Sequence, residues 1–532
     1  MKRLKDPLYG YIDIEDDVFD LIIDTPEFQR LRGVTQTSYA PLYASAVHNR
    51  FVHSLGVYHL GKIVANSIEE RRQGEEWYLK KYLSVFKYAC LLHDIGHAPF
   101  SHTGENFFLG SDGSRKFLHN VVVELTKDNS LSEEIFKRDY KAAPHELMSV
   151  VVSLRVFQSL FCDNEERSFF ARCILGYPYV IDLDEHKSYL NCLIAMLNSS
   201  IIDVDKLDYL IRDAYITGYD TVSIDYHRLL KNINFILIDG TYKIVYHQAA
   251  ISVIESVIFA HDSERKWIQN HPIVQYEAFL LQHAIEVLNS KYPLFTYDAL
   301  SQVGVDIFDG YKVSLINDGD ILFFMKNFRS DSLIQEYFFR KIRRHPLWKS
   351  EAEYKAIFNK AFTDNTYAVL EEKIEKLVKY LSTTNFSIEL NQSAHVGLTK
   401  DIGATRKEYE NASGNQKDNY KINLEEKEKH LKLLDCFKQF AEDQTIDFDF
   451  VILTAKRFNS GFGKVDFDKI EVGFSTLKST CAFKKVANSL SAGKNEREKF
   501  FYVFYKRKDR KHKLDVAKLA QYLMSYVLKE VY

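Results

Sequence analysis

The chain has 532 residues, 46% of them hydrophobic and 27% charged, so it can bury a large core and is expected to form two or three structural units rather than one domain. Only 22 Gly and 9 Pro are present, which excludes collagen-like and low-complexity classes and favours a largely helical protein. Lys plus Arg 70 against Asp plus Glu 73 gives a net charge of −3, so no whole-chain field recruits nucleic acid or an anionic membrane.

The opening MKRLKDPLYG lacks an apolar stretch after its basic residues, and no apolar run is long enough to span a bilayer. Neither a signal peptide nor a membrane partner is expected. The cysteines Cys90, Cys162, Cys173, Cys192, Cys436 and Cys481 are scattered without a CxxC pair, which points away from a disulfide framework and towards a reducing cytoplasm. Residues 1–384 read as near-continuous helical pattern. Within 191–215, Leu193, Met196, Leu197, Leu207, Leu210 and Ile211 recur at three- and four-residue steps, as one buried helix face requires. Between 232 and 247, two β-rich runs flank Asp239-Gly240 and predict a hairpin.

Residues 385–422 are poor in large aliphatics and rich in Asn, Ser, Gly and Lys, which predicts a polar linker or mobile loop. Asn423 with Glu426 reads as a capping box, followed by Leu424, Leu431, Leu434, Phe437 and Phe440 on one helix face. FDFVILTAKRF and KFFYVFYKRKD have strand composition, and DVAKLAQYLMSYVLKEVY closes as an amphipathic helix. Residues 423–532 are therefore expected to be a C-terminal α+β accessory or regulatory unit. The expected fold class is mostly α, with small hairpin insertions.

Histidine and aspartate concentrate in HNRFVHSLG (48–56), LLHDIGHAPFSHTGE (91–105), PHELMS (144–149) and IDVDKLDYLIRD (202–213). An adjacent His93-Asp94 at the end of an apolar run is costly to bury unless it is paired or bound to a metal. A lone pair of this kind also serves as a helix cap, but His97 and His102 follow closely, and His53 and Asp205 break other apolar helices. Two imidazoles and two carboxylates suit a divalent metal such as Mg, Mn, Fe, Co or Zn, and leave positions for water and substrate.

These residues resemble the HD-domain phosphohydrolase superfamily, whose motif is a distant His, an adjacent His-Asp and a later Asp on one metal. More narrowly, DPLYGYIDI, IIDTPEFQRLRGVTQ, HNRFVHSLGVYHLG, LLHDIGHAPFSHTGE, HE and IDVDKLDYLIRD occur in the order found in the deoxynucleoside triphosphate triphosphohydrolases, a branch that includes bacterial dGTPases and the mammalian sterile-alpha-motif and HD-domain enzyme. The resemblance covers discontinuous parts of residues 6–213 and is silent after about residue 290. It implies an HD-domain helical core, hydrolysis of a dNTP to deoxynucleoside and triphosphate, and a role in dNTP pool control or antiviral defence. The metal ligands it implies are His53, His93, Asp94 and Asp205. It further implies His145 as general acid, with His102, Glu105 and His97 beside it. Arg50 and Lys206 are implied as phosphate contacts, Tyr209 as a sugar contact, and Asp213 with Gln36 at the sugar 3′-hydroxyl.

The resemblance also implies a homo-oligomer, tetrameric or hexameric, and an activating nucleotide read by Asp24, Gln29 and Arg32; the same three residues are equally ordinary for a capped helix start. The family's basic-aromatic segment after the sugar site aligns poorly with FAHDSERKWIQNHPIVQYE, where Arg265, Lys266 and His271 are either replacements or a solvated turn. KRKDRKHK (506–513) reads either as a nucleic-acid contact or as a solvated connection. Two other readings stand beside dNTP hydrolysis: an HD phosphohydrolase of another nucleotide class, and a non-catalytic nucleotide- or nucleic-acid-binding HD protein.

Overall fold

The chain opens with an antiparallel hairpin, β1 (Lys2–Asp6) and β2 (Gly10–Ile14), in a computed structural model that describes all residues except 39–40, 72–76, 110–111, 132–141, 200–201, 220–222, 291–295, 309–310, 342, 359–363, 385–387, 457–468, 476–479, 488–498, 508, 510–511 and 532. Helix α1 (Arg50–Arg71) follows and buries residues on most of its faces, from Phe51 and Leu55 to Tyr58 and Leu60. A helix buried all round is the centre of its bundle. Around it run α2 (Trp77–Leu92), α3 (His102–Leu109), α4 (Pro144–Val156), α5 (Glu185–Leu197) and α6 (Val204–Thr217).

Local chemistry fixes where these helices start. Asp184 and Asp203 cap α5 and α6, accepting the backbone N–H groups of Lys187 and Lys206 at 2.7 Å each. Pro144 sits in the first turn of α4, and the Glu146 carboxylate reaches back to the Ala143 N–H at 2.6 Å. Gly218, in the left-handed region at φ 68, ends α6.

The predicted hairpin is present as β3 (Ile233–Ile238) and β4 (Thr241–His247), turning through Asp239 and Gly240, both at positive φ. Two later strands extend it: Glu471–Gly473 pairs parallel with β4, and Thr480–Ala482 pairs antiparallel with Glu471–Gly473. The described residues are mostly helical with small sheets, as expected.

Two compact units divide the chain differently from the expected boundaries. The first comprises Met1–Ile268, Ala278–Ile334 and Ser460–Ala492; the second comprises Gln269–Glu277, Gln335–Asn459 and Gly493–Tyr532. In the second, a sheet runs in the order Arg344–Pro346, Lys499–Lys506, Asp449–Lys456, Leu390–Asn391, with the amphipathic helix Val516–Val531 at the end.

The expected linker at 385–422 is not a linker where it is described. Gln392–Asn411 and Asn415–Asp443 are helices. The first is capped by Asn391, whose side chain accepts the Ala394 N–H, and it buries only Ala394, Leu398, Ile402 and Thr405. So thin a stripe of small and medium residues lacks the aliphatic density that signals a helix. Asn423 and Glu426 therefore lie inside a continuous helix rather than at its start.

Candidate active site

His93 and Asp94 lie in the turn that ends α2, His53 on the buried face of α1, and Asp205 in the first turn of α6. The fold brings all four to one point. His53 Nε2 is 3.3 Å from His93 Nε2, 3.5 Å from Asp94 Oδ2 and 3.0 Å from Asp205 Oδ1. His93 Nε2 is 3.4 Å from Asp94 Oδ2 and 3.6 Å from Asp205 Oδ1. His53, His93 and Asp94 are buried.

The far sides of both imidazoles show what the centre is built to hold. His93 Nδ1 is 3.0 Å from the Cys90 carbonyl, which can only accept, so Nδ1 carries the hydrogen and Nε2 presents a lone pair. His53 Nδ1 likewise donates to Asp208 Oδ2 at 2.8 Å. Two lone pairs 3.3 Å apart, flanked by two carboxylates, require a positive charge between them. Although burial opposes it, hydrogen bonds to Asp205 and Asp208 push the His53 pKa up to about 10, a measure of the same demand. A divalent cation meets it with the ligand types such ions favour, so the four residues fit the expected metal.

Asp208 belongs to a buried chain behind the ligands. Its oxygens accept Arg212 Nε and Nη2 at 2.9 and 3.0 Å and the Tyr9 hydroxyl at 2.7 Å, while Arg212 Nη1 reaches Asp6 Oδ2 at 3.0 Å. A carboxylate behind a ligating histidine fixes its tautomer and raises its basicity. Gly56 leaves room for the pair: a Cβ there would lie 1.8 Å from Asp208 Oδ1.

Beside these four residues lies a second ring. Glu105, buried on α3, accepts both the backbone N–H and Nδ1 of His145 on one oxygen at 2.8 Å, and its other oxygen lies 3.1 Å from His102 Nδ1. His97 stacks on His145 with ring centroids 4.0 Å apart, and its Nε2 is 3.2 Å from Asp94 Oδ1. Although burial lowers it, the Glu105 carboxylate raises the His145 pKa. Burial, with the Arg50 charge, pushes His97 well down. One imidazole of the stacked pair is thus held towards the protonated form and the other neutral. The loop before α3 carries Phe100 and Ser101 at φ 60 and 53, left-handed backbone on side chains that rarely adopt it.

Several other expected residues are held by partners within the protein. Arg50 is buried, donating to Asp94 Oδ2 at 2.6 Å and Ser101 Oγ at 2.8 Å; it holds the Asp94 carboxylate in place in this structure. Lys206 Nζ is bonded to Asp203 Oδ2 and the Ser199 carbonyl, both at 2.6 Å, because the capping carboxylate lies within its own turn. Tyr209 is half-buried on α6. Asp213 pairs with His48 Nε2 at 2.7 Å rather than with Gln36, whose Oε1 is buried without a partner among the described residues.

Asp24 and Arg32 are exposed and Gln29 is half-buried. Gln29 and Arg32 bond to each other at 2.7 Å and Arg32 lies over Phe51, so both are engaged locally. Lys266 lies over Trp267, and Arg265 opens a short π-helical turn. His271 belongs to the second unit, where its Nδ1 accepts the Ile273 N–H. Within 506–513, Lys506 is paired with Asp449 and Arg507 with the Asp509 carbonyl, while 508, 510 and 511 lie outside the described residues.

Sequence reasoning missed His48, Asp208, Arg212, Asp6 and Tyr9. All lie in the motifs already singled out; Asp208 follows Asp205 by three residues and Arg212 follows Asp208 by four along α6.

The HD domain family matches residues 50–147, the segment holding three of the four metal-site residues and the whole second ring. Among curated relatives, deoxynucleoside triphosphate triphosphohydrolase SAMHD1 of Xenopus laevis is 34% identical over 239 residues, 43% of this chain and 36% of that protein. The uncharacterized protein YwfO of Bacillus subtilis is 28% identical over 301 residues, 56% of this chain and 58% of that protein. The uncharacterized protein MG461 of Mycoplasma genitalium is 29% identical over 260 residues, 48% of this chain and 52% of that protein. The chain thus spans about half the length of these relatives or less. A crystal structure of a hypothetical protein from Aquifex aeolicus has a TM-score of 0.54 at 18% identity and is covered over 99% of each chain, which shows a shared fold. Residues 50–147 thus match an HD domain, and the chain is similar to the deoxynucleoside triphosphate triphosphohydrolases.

Proposed function

We propose that the protein is a metal-dependent dNTP triphosphohydrolase, releasing deoxynucleoside and inorganic triphosphate. The observation that carries this reading is the convergence of His53, His93, Asp94 and Asp205 beside a Glu105–His145 pair. The four residues would hold a divalent cation, which when bound lowers the pKa of water and neutralises phosphate charge.

The chain's own residues divide the remaining work. Water attacks the α-phosphorus, the bond from phosphorus to the sugar O5′ breaks, and the departing oxygen needs a proton. His145, kept proton-bearing by Glu105, supplies it. Neutral His97, stacked on His145 and beside Asp94, faces the phosphates. Asp213, held by His48, receives the sugar hydroxyl, and Tyr209 on the same helix borders the sugar. Arg50 steadies Asp94 and carries charge that favours phosphate nearby. Nucleotide activation through Asp24, Gln29 and Arg32, a homo-oligomer, and cytoplasmic action in pool control or defence belong to the same proposal. Among the described residues, no helix is long and apolar enough to cross a membrane.

The test is triphosphate release from each dNTP, alone and in pairs, with Mg, Mn or Co. An Asp94→Ala protein serves as control. Release by the wild type and not by the variant supports the proposal; nucleotide binding without release under any metal rejects it.

A further inference from the structure

A cavity of about 340 Å³ lies in the first unit, and none of its lining residues belongs to the metal cluster. That volume is in the range of small-molecule sites. Three stretches distant in sequence enclose it: α5, the strand β4, and the segment at Lys469 and Ile470 that leads into the added strand Glu471–Gly473. Ala195 and Ile202 give it apolar wall, Tyr242 and Tyr246 aromatic wall, and the exposed Lys243 and Lys469 are its two cationic residues. No carboxylate lines it among the described residues. Apolar and aromatic walls under two cations suit a ligand with a hydrophobic body and an acidic group, whose desolvation the lysines offset.

The same wall is the turn that starts α6. Ser199 lines the cavity, its N–H donates to Asp203 Oδ2 at 2.9 Å and its carbonyl accepts Lys206 Nζ at 2.6 Å. Asp203 in turn caps the helix whose first turn holds Asp205. A molecule lodged against Ser199 and Ile202 therefore bears on the segment that positions a metal ligand.

We propose that this cavity is a second ligand site, for a small organic anion with an aromatic or apolar body, and that its occupancy is linked to the metal centre. The site stands whether or not dNTPs are the substrate, since it uses none of the residues assigned to hydrolysis. Its third wall comes from a segment inserted between two strands of the second unit's sheet, which gives that insertion a purpose in the fold.

The probe is 8-anilinonaphthalene-1-sulfonate, an aromatic body with one acid group, titrated by fluorescence into the full chain. Binding is expected to weaken at least tenfold in Ala195→Trp, which fills the cavity, and in the double variant Lys243→Glu, Lys469→Glu, which reverses its charge; the exposed Lys243 makes the second variant the safer for folding. The deoxynucleoside monophosphates and octanoate are then competed against the probe. Displacement by the first assigns a nucleotide and by the second a fatty-acid-like occupant, and either supports the site. Binding that neither displaces, or that survives in both variants, overturns it. Saturating probe is also expected to shift Mn(II) affinity in the wild type and not in Ala195→Trp; an unshifted affinity overturns the linkage.

Discussion

At the residue scale, the centre is defined as much by what stands behind the ligands as by the ligands. Asp208 holds His53 and is itself held by Arg212 and by the half-buried Tyr9. Asp208→Asn keeps the size of the side chain and removes the charge that makes Nε2 a good ligand. Metal affinity is expected to fall about 10- to 100-fold, read by calorimetric titration with Mn or Co. Glu105 acts on His145 in a comparable way. Glu105→Gln removes the charge that raises the His145 pKa against burial, so the imidazole loses its proton at lower pH. The alkaline limb of the pH–rate profile is expected to move towards acid, with kcat down about 100-fold; a profile unmoved by the variant removes His145 from the role of acid. The convergence of His53, His93, Asp94 and Asp205 was legible in sequence because imidazole and carboxylate interrupt apolar helices, which chance places there rarely. Asp208 and Arg212 were not, because an acid and a base four residues apart on a helix look the same in sequence whether they are a buried pair or an ordinary surface one.

At the scale of elements, the site depends on close approach between helices and turns. Gly96 follows the His-Asp pair by two residues, its N–H donates to Ser149 Oγ at 2.9 Å, and a Cβ there would lie 2.2 Å from the Ser149 backbone nitrogen on α4. Gly96→Ala must push α4, and with it His145, away from the turn that carries Asp94. A loss of about 1–3 kcal/mol is expected by thermal or denaturant unfolding, together with a larger fall in activity than stability alone explains. Ser149→Ala, which removes one hydrogen bond without a clash, should cost about 1 kcal/mol. Strands and hairpins with aromatic and β-branched composition were legible, as β3, β4, Asp449–Lys456 and Lys499–Lys506 show. The helix Gln392–Asn411 was not, because it buries so few large side chains that its text resembles a solvated linker.

At the scale of the molecule, the chain does not pass from one unit to the next at a single point. Ser460–Ala492 returns to the first unit and adds two strands to the sheet of β3 and β4, and Gln269–Glu277 belongs to the second. A boundary near residue 384 was the natural reading of a composition change, but composition cannot report a strand that pairs with a partner more than two hundred residues away. A chain ended at residue 384 loses the strand Glu471–Gly473 that pairs with β4 and leaves Arg344–Pro346 without its partner Lys499–Lys506. It is expected to be markedly less soluble and to melt at lower temperature than the full chain, as differential scanning fluorimetry and limited proteolysis would read. An unchanged melting temperature would mean that the first 384 residues fold independently.

The central claim is that the His53, His93, Asp94 and Asp205 cluster, served by Glu105 and His145, cleaves dNTPs between the sugar oxygen and the α-phosphorus. Hydrolysis in 18O-labelled water with Mn or Co tests it most directly, with the products resolved by mass spectrometry. Label is expected in the triphosphate, with unlabelled deoxynucleoside, and neither product from the Asp94→Ala protein. Release of orthophosphate or pyrophosphate in place of triphosphate, or turnover that survives Asp94→Ala, would contradict it.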